Sequence, residues 1–381
     1  MVRHARPVIE RGVVLLMLTL AGCRPSEERS TSATTSVDTA AWKLATQPLV
    51  YIGSAGQGGH ELDRVYGGVA NPDGSVVVGN SGTRELRFFD PSGALRRAAG
   101  RGGRGPGEFQ AINWLRPYRG DSLIAFDLRS QRFSVWSAAG EFGRVFQPPA
   151  PAPSTRAVGV FSDASVLIAT DRPYDPRQGE GVVRDEFELS RISPTGALIA
   201  NLGRFSGTEW LLYRHPAAFG ATQPPFGTVA HVALAGDHVA YASSDSGRVA
   251  LHDAAGRLVR TIQVPVQPRK VTPAMVEQAL QDISDEGERR AVRRHLDGLR
   301  NATEPAIRAL RVDRGGRLWI QTPASAPETS RWLVYDAAGR QEGSILMPSS
   351  HLPLDIHPDR LLVRETDADG VQRVSLRQVV R

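Results

Sequence analysis

The chain has 381 residues, a formal charge of +6 and 41% apolar side chains, enough for a sizeable core without covalent staples. Its single cysteine, Cys23, excludes an internal disulfide and any cysteine-based metal site. Lysine occurs only at Lys43 and Lys270, and no basic stripe alternates with aromatics, so nucleic acid is not an expected partner.

Residues 1–22 follow the order of a secretory signal. Arg3, Arg6 and Arg11 give a positive start, and residues 13–20 are an apolar run too short to span a bilayer, which takes about 20 residues. Leu20-Ala21-Gly22-Cys23 closes the run and resembles the bacterial lipobox. That resemblance implies cleavage before Cys23, diacylglycerol on its thiol, and anchoring to the membrane on the extracytoplasmic side, periplasmic or at the outer membrane. Residues 23–41 are rich in Ser and Thr and read as a disordered tether.

From residue 42 onward the chain repeats. A shift of 47 positions places Gly53, Gly56, Gly58 and Glu61 on Gly100, Gly103, Gly105 and Glu108. The register continues from Ser75 to Ser122, Phe89 to Trp136 and Gly93 to Gly140. A period of roughly 40–50 residues, with short apolar runs between Asp/Gly turns, is the signature of a β-propeller. The first blade reads as strands over 67–71, 75–79, 85–89 and 94–98. An outer turn with Asp or Ser three residues before Gly recurs at Asp90, Ser137, Ser193, Asp253 and Asp336. Inner turns precede each, and a sixth lies at His357-Pro358-Asp359. The sixth blade then runs out before its last strand, and residues 48–52 align with the missing piece. The expectation is an all-β, six-bladed propeller closed by the N-terminal strand.

Two stretches depart from the period. The connection about 170–185 is long and polar. Residues 272–301 carry a helical pattern between blades four and five, with Thr272 as cap and Pro273 at the first position. Val276, Leu280 and Ile283 form one apolar stripe, Val292, Leu296 and Leu299 another, with a break expected at Gly287.

The Gly-Pro-Gly-Glu-Phe109 loop, the Asp-Gly turns and the Phe-Asp-x-x-Gly turn resemble NHL-type repeats. With the lipobox and the helical insertion, the chain resembles bacterial six-bladed propeller lipoproteins over about residues 48–381. The resemblance implies an exported binding or scaffold protein and brings no catalytic set. No cofactor is implied.

Counting back from the inner turns places Tyr66, Asn113, Arg156, His231, Arg308 and His351 near one mouth of the channel. This mixed, partly cationic set suits a carboxylate, a phosphate or an acidic peptide. The alternative is that these residues pair with neighbouring carboxylates and seal the channel. A protein, peptide or glycan partner at this loop face is the leading reading, with the helical insertion as a cover. His215, His231 and His351 offer a second, a metal-dependent hydrolase or lyase, although no close histidine spacing supports it. A structural envelope spacer is the third. Arg84, Arg132, Arg248, Arg331 and Arg373 recur at or just before the start of the third strand in five of the six blades, which points to a structural contact such as Asp127 with Arg132.

Overall fold

The computed structural model describes residues 40–53, 61–149, 152, 154–172, 175, 179–215, 218–299, 302–326 and 328–381. The signal segment, Cys23, nearly all of the tether, Gly56 and Gly58 lie outside the described residues.

The first sheet is an antiparallel meander of β3 (Val65–Ala70), β4 (Val76–Asn80), β5 (Glu85–Phe89) and β6 (Leu95–Ala99). Its inner strands are near-continuous apolar runs because both of their faces are covered: every residue of β4 is buried. The outermost strand β6 exposes Arg96, Arg97 and Ala98. The turns close by local chemistry. Asp90 Oδ1 accepts the Ser92 and Ala94 N–H groups, and Gly93 N–H donates to the Asp90 carbonyl at 2.9 Å.

The second sheet repeats this plan with β7 (Ile112–Pro117), β8 (Leu123–Asp127), β9 (Arg132–Trp136) and β10 (Phe142–Phe146). The glycine-rich stretch before it is pinned from within. Glu108 accepts from Gly105 N–H at 2.7 Å and pairs with Arg101 at 2.8 Å, while Phe109 stacks on Trp136 at 5.7 Å. Arg132 is a structural contact, but its partners differ from those expected: it donates to the carbonyls of Arg104, Gly105 and Glu108. Asp127 instead gathers backbone N–H groups from Gln110, Ala111, Arg129 and Ser130.

The third sheet has five strands: β11 (Thr155–Val160), β12 (Val166–Arg172), β13 (Gly181–Ile192), β14 (Leu198–His215) and β15 (Ala218–Thr222). Much of the expected polar connection is therefore strand. Residues 181–186 alternate half-buried and exposed, as a ribbon does where it runs out beyond the sheet. The fourth sheet returns to four strands, β16 (Ala230–Ala235), β17 (His238–Ser243), β18 (Arg248–His252) and β19 (Leu258–Gln263).

Helices α1 (Pro273–Gln281) and α2 (Glu286–Gly298) follow, with Thr272 capping the first as expected. The break falls before Gly287, which lies inside α2. Asp285 is the reason, since its carboxylate accepts Glu288 N–H at 2.7 Å and starts the helix there. Leu280, Val292 and Leu296 are buried against Leu211 and Tyr213 of β14, whereas Leu299 is exposed. Arg293 ties the two helices through both oxygens of Glu277, each at 2.9 Å.

The remaining strands are β20 (Ala309–Val312), β21 (Leu318–Thr322), β22 (Thr329–Tyr335), β23 (Gln341–Pro348), β24 (His351–Ile356), β25 (Arg360–Thr366) and β26 (Gln372–Val380). Two N-terminal strands join them into one nine-stranded sheet. In β1 (Ala40–Leu44), residues 40–42 run parallel to β23, and Lys43 and Leu44 pair with the end of β26. Strand β2 (Val50–Ile52) pairs antiparallel with Val374–Leu376 of β26. The first strands are neighbours across the sheets, β3 with β7, β7 with β11, β11 with β16, β16 with β20, and β24 with β3.

Candidate functional site

The six sequence candidates occupy the leading ends of the first strands, and each is held differently. Tyr66, second in β3, is exposed. Asn113, second in β7, is half-buried, and its Oδ1 has no hydrogen-bond partner. Arg156 of β11 forms an ion pair with Asp171 of β12, and its guanidinium lies 5.1 Å from the Phe187 ring centroid. Burial raises the Asp171 carboxyl pKa, against the opposing pull of Arg156. His351 opens β24 with Nε2 3.9 Å from Glu365, a carboxylate already held by Ser375 and by Arg377 at 2.8 and 3.0 Å.

Of the six, His231 and Arg308 line a common cavity. His231 is second in β16, and Arg308 directly precedes β20 of the next sheet. Together with Gln223, Phe226 and Pro305 they line a space of about 390 Å³. Phe226 also packs on the cluster formed by the two helices, so the insertion borders this cavity. Tyr66, Asn113, Arg156 and His351 do not line it.

The charge of the cavity leans positive. Arg308 Nη2 donates to Glu304 Oε1 at 3.0 Å, and Arg269 Nε stands 3.3 Å from the other oxygen of the same carboxylate. Glu304 is buried, so one anion serves two guanidiniums. His231 adds no charge at neutral pH. Burial pushes its pKa down to about 4, outweighing a hydrogen bond to the Ile307 backbone, and nearby Arg311 lowers it further.

A second cavity, about 220 Å³, lies towards the opposite ends of the first strands. Five of those strands contribute to its wall, which carries Arg116, Arg311, Arg314, Asp313 and Asp355 among apolar neighbours. Arg314 grips Asp355 with two nitrogens, at 2.6 and 3.2 Å, and the Ala70 N–H donates to the same carboxylate at 2.9 Å. Burial alone would raise the Asp355 pKa; hydrogen bonds from His357 and Arg314 outweigh it and hold the group at about 2. None of these five residues was a sequence candidate. The signal was present as an arginine inside an apolar first strand, Trp-Leu-Arg116 and Ala-Leu-Arg311.

Among the described residues no three His, Cys, Asp or Glu side chains gather into a metal site, and the His215 side chain lies outside the described residues.

No family model and no curated protein matches the chain. Solved structures do. An exported protein from Bacteroides fragilis matches with a TM-score of 0.51 at 10% identity, covering 89% of this chain and 95% of its own. A member of the DUF4221 family from Bacteroides vulgatus matches at 0.49 and 10% identity, over 89% and 98%. Virginiamycin B lyase from Staphylococcus aureus matches at 0.44 and 10% identity, over 89% and 99%. What the chain shares at such identity is its architecture, an all-β, propeller-like fold.

Proposed function

We propose that this chain is an exported, lipid-anchored, six-bladed β-propeller that captures an acidic group of a protein, peptide or glycan partner at the loop end of its channel. The count of six treats the nine-stranded sheet as two blades bridged by β1, with β2 as the fourth strand of the last. The neighbour relations of the first strands support it, together with the Arg314 N–H that donates to the Ile356 carbonyl at 2.9 Å between β20's turn and β24. The address rests on the sequence alone, on the signal order and on Leu20-Ala21-Gly22-Cys23. Kinship with NHL-type lipoproteins rests on the glycine-rich loop and the repeated turns.

One observation carries the binding site: Arg308 and Arg269 share the single buried carboxylate of Glu304 beside an open cavity. The second guanidinium is available to an incoming carboxylate or phosphate. A charge-assisted hydrogen bond contributes roughly 1.5–3 kcal/mol. Crosslinking in the native envelope identifies the partner, and Arg308→Ala should then reduce its affinity about ten- to a hundredfold with little change in melting temperature. Loss of stability with capture intact would end the case for this site.

A further inference from the structure

The charges in the channel cavity do not balance. Asp355 is clamped by Arg314, and Asp313 is taken by Arg317 Nε at 2.6 Å and by the N–H groups of Gly315 and Arg317. Arg116 and Arg311 are left. Arg116 donates to the carbonyls of Leu115 at 2.8 Å and Leu354 at 3.4 Å, and Arg311 to that of Leu310 at 2.9 Å. Neither forms an ion pair among the described residues. Around them the wall is largely apolar, with Val158, Val232, Leu234 and Pro353.

Two guanidiniums in one low-dielectric cavity repel each other, and a backbone carbonyl compensates a full charge only in part. Each has five N–H donors in a planar fork, of which these carbonyls use a minority. We infer that the channel cavity is a binding site for a small oxyanion of at least two negative charges, held between Arg116 and Arg311. The space suits a free phosphate or a short dicarboxylate and excludes a polymer. The charge of Arg116 is felt at Arg311, whose pKa falls to about 10 through burial and then through that charge. Burial likewise lowers Arg116, with the Asp355 carboxylate opposing the fall and Arg314 adding to it. Both groups stay protonated at neutral pH and can act as donors. This cavity and the His231–Arg308 cavity lie at opposite ends of the first strands, so the inference does not depend on the partner site.

The test uses the full-length protein in detergent at low ionic strength, titrated calorimetrically with inorganic phosphate, with succinate, and with sodium chloride at matched ionic strength. In an Arg308→Ala background, which removes the proposed partner site, one phosphate or succinate should bind per chain, and Arg116→Gln or Arg311→Gln should each weaken binding at least tenfold. Arg290→Ala, on the exposed face of α2, should leave it unchanged. In anion-free buffer both glutamine variants should melt at or above the parent temperature, because each relieves a repulsion. Binding of phosphate alone assigns the site to phosphoryl groups, and binding of succinate alone to carboxylates. Either anion doing no more than chloride would overturn the inference if the other does the same. Equal binding by a variant carrying both Arg116→Gln and Arg311→Gln, or single variants that melt well below the parent without anion, would overturn it as well.

Discussion

Gly93, in the outer turn of the first sheet, approaches Tyr51 of β2 so closely that a Cβ at Gly93 would stand 2.8 Å from the Tyr51 carbonyl oxygen. Its φ of 85° is a left-handed conformation that glycine adopts at little cost. A side chain is thus excluded on two grounds where the first sheet meets the N-terminal strand. The same strand alternates sharply: Val50 and Ile52 are buried with Phe89, Leu362 and Val374, while Leu49 and Tyr51 are exposed.

That alternation separates two substitutions three residues apart. Ile52→Ala should cost about 2–5 kcal/mol, as for other buried aliphatic truncations. Leu49→Ala should stay within about 0.5 kcal/mol. Urea unfolding of both variants is the measurement. Equal, small effects would mean that β2 is no part of the cooperative fold.

Trp42 and Gly343 supply a second test, on the strand that bridges β23 and β26. Trp42 is buried, edge-on to Trp319 at 5.9 Å, with the guanidiniums of Arg381 and Arg317 at 4.6 and 5.3 Å from its ring centroid. A Cβ at Gly343 would stand 2.5 Å from its indole. Trp42→Ala should cost about 3–5 kcal/mol. Gly343→Ala should cost about 1–3 kcal/mol through overpacking, yet little in the Trp42→Ala background. Additive losses in the double-mutant cycle would show that the indole does not select glycine at this position.

Much of this architecture is legible in the chain because the turns carry chemistry at fixed offsets. Asp90, Ser137, Ser193, Asp253 and Asp336 each accept from a glycine N–H three residues on, at 2.9–3.0 Å. Strand β1 was not legible, since Ala-Ala-Trp-Lys-Leu follows a polar stretch and acquires its meaning only from Gly343 and Val379, about 300 residues away. The start of β13, at the end of the connection about 170–185, reads as polar loop because its pattern is polar on one side, as that of an exposed ribbon is. The candidate site was half legible. Counting from turns locates residues at the same height on their sheets, but pairing decides what each does, and Asp171 claims Arg156 while Arg308 shares Glu304 with Arg269. Arg116 and Arg311 are not legible this way, because turn positions mark only the ends of the first strands and not the charges within them.

The proposed membrane address can be tested apart from the fold. Cys23→Ser should abolish palmitate labelling and leave unprocessed or released protein. Labelling and membrane fractionation that persist in this variant would show the lipobox reading to be mistaken.

His231 predicts a pH dependence whose sign follows from its burial. Its pKa of about 4 lies below the ordinary value of 6.5, so the unfolded chain binds more protons between those limits. The neutral ring's contribution is fully present above pH 6.5 and is lost as the pH falls through the window towards 4. A displacement of that size corresponds to at most about 3 kcal/mol. Asp355 acts lower, since a carboxyl held at about 2 loses its contribution only as the pH falls below its ordinary 3.8. The two windows do not overlap, and since burial also lowers His252, His295 and His351, only the difference between parent and variant isolates His231. Stability of the parent and of His231→Gln should therefore be measured by urea unfolding from pH 7.5 to 4.5. The parent should lose more than the variant over that range, and the two curves should converge or cross on the acid side. Parallel curves would mean that His231 takes up its proton without resistance, and that the cavity beside Arg308 is open to water around the ring.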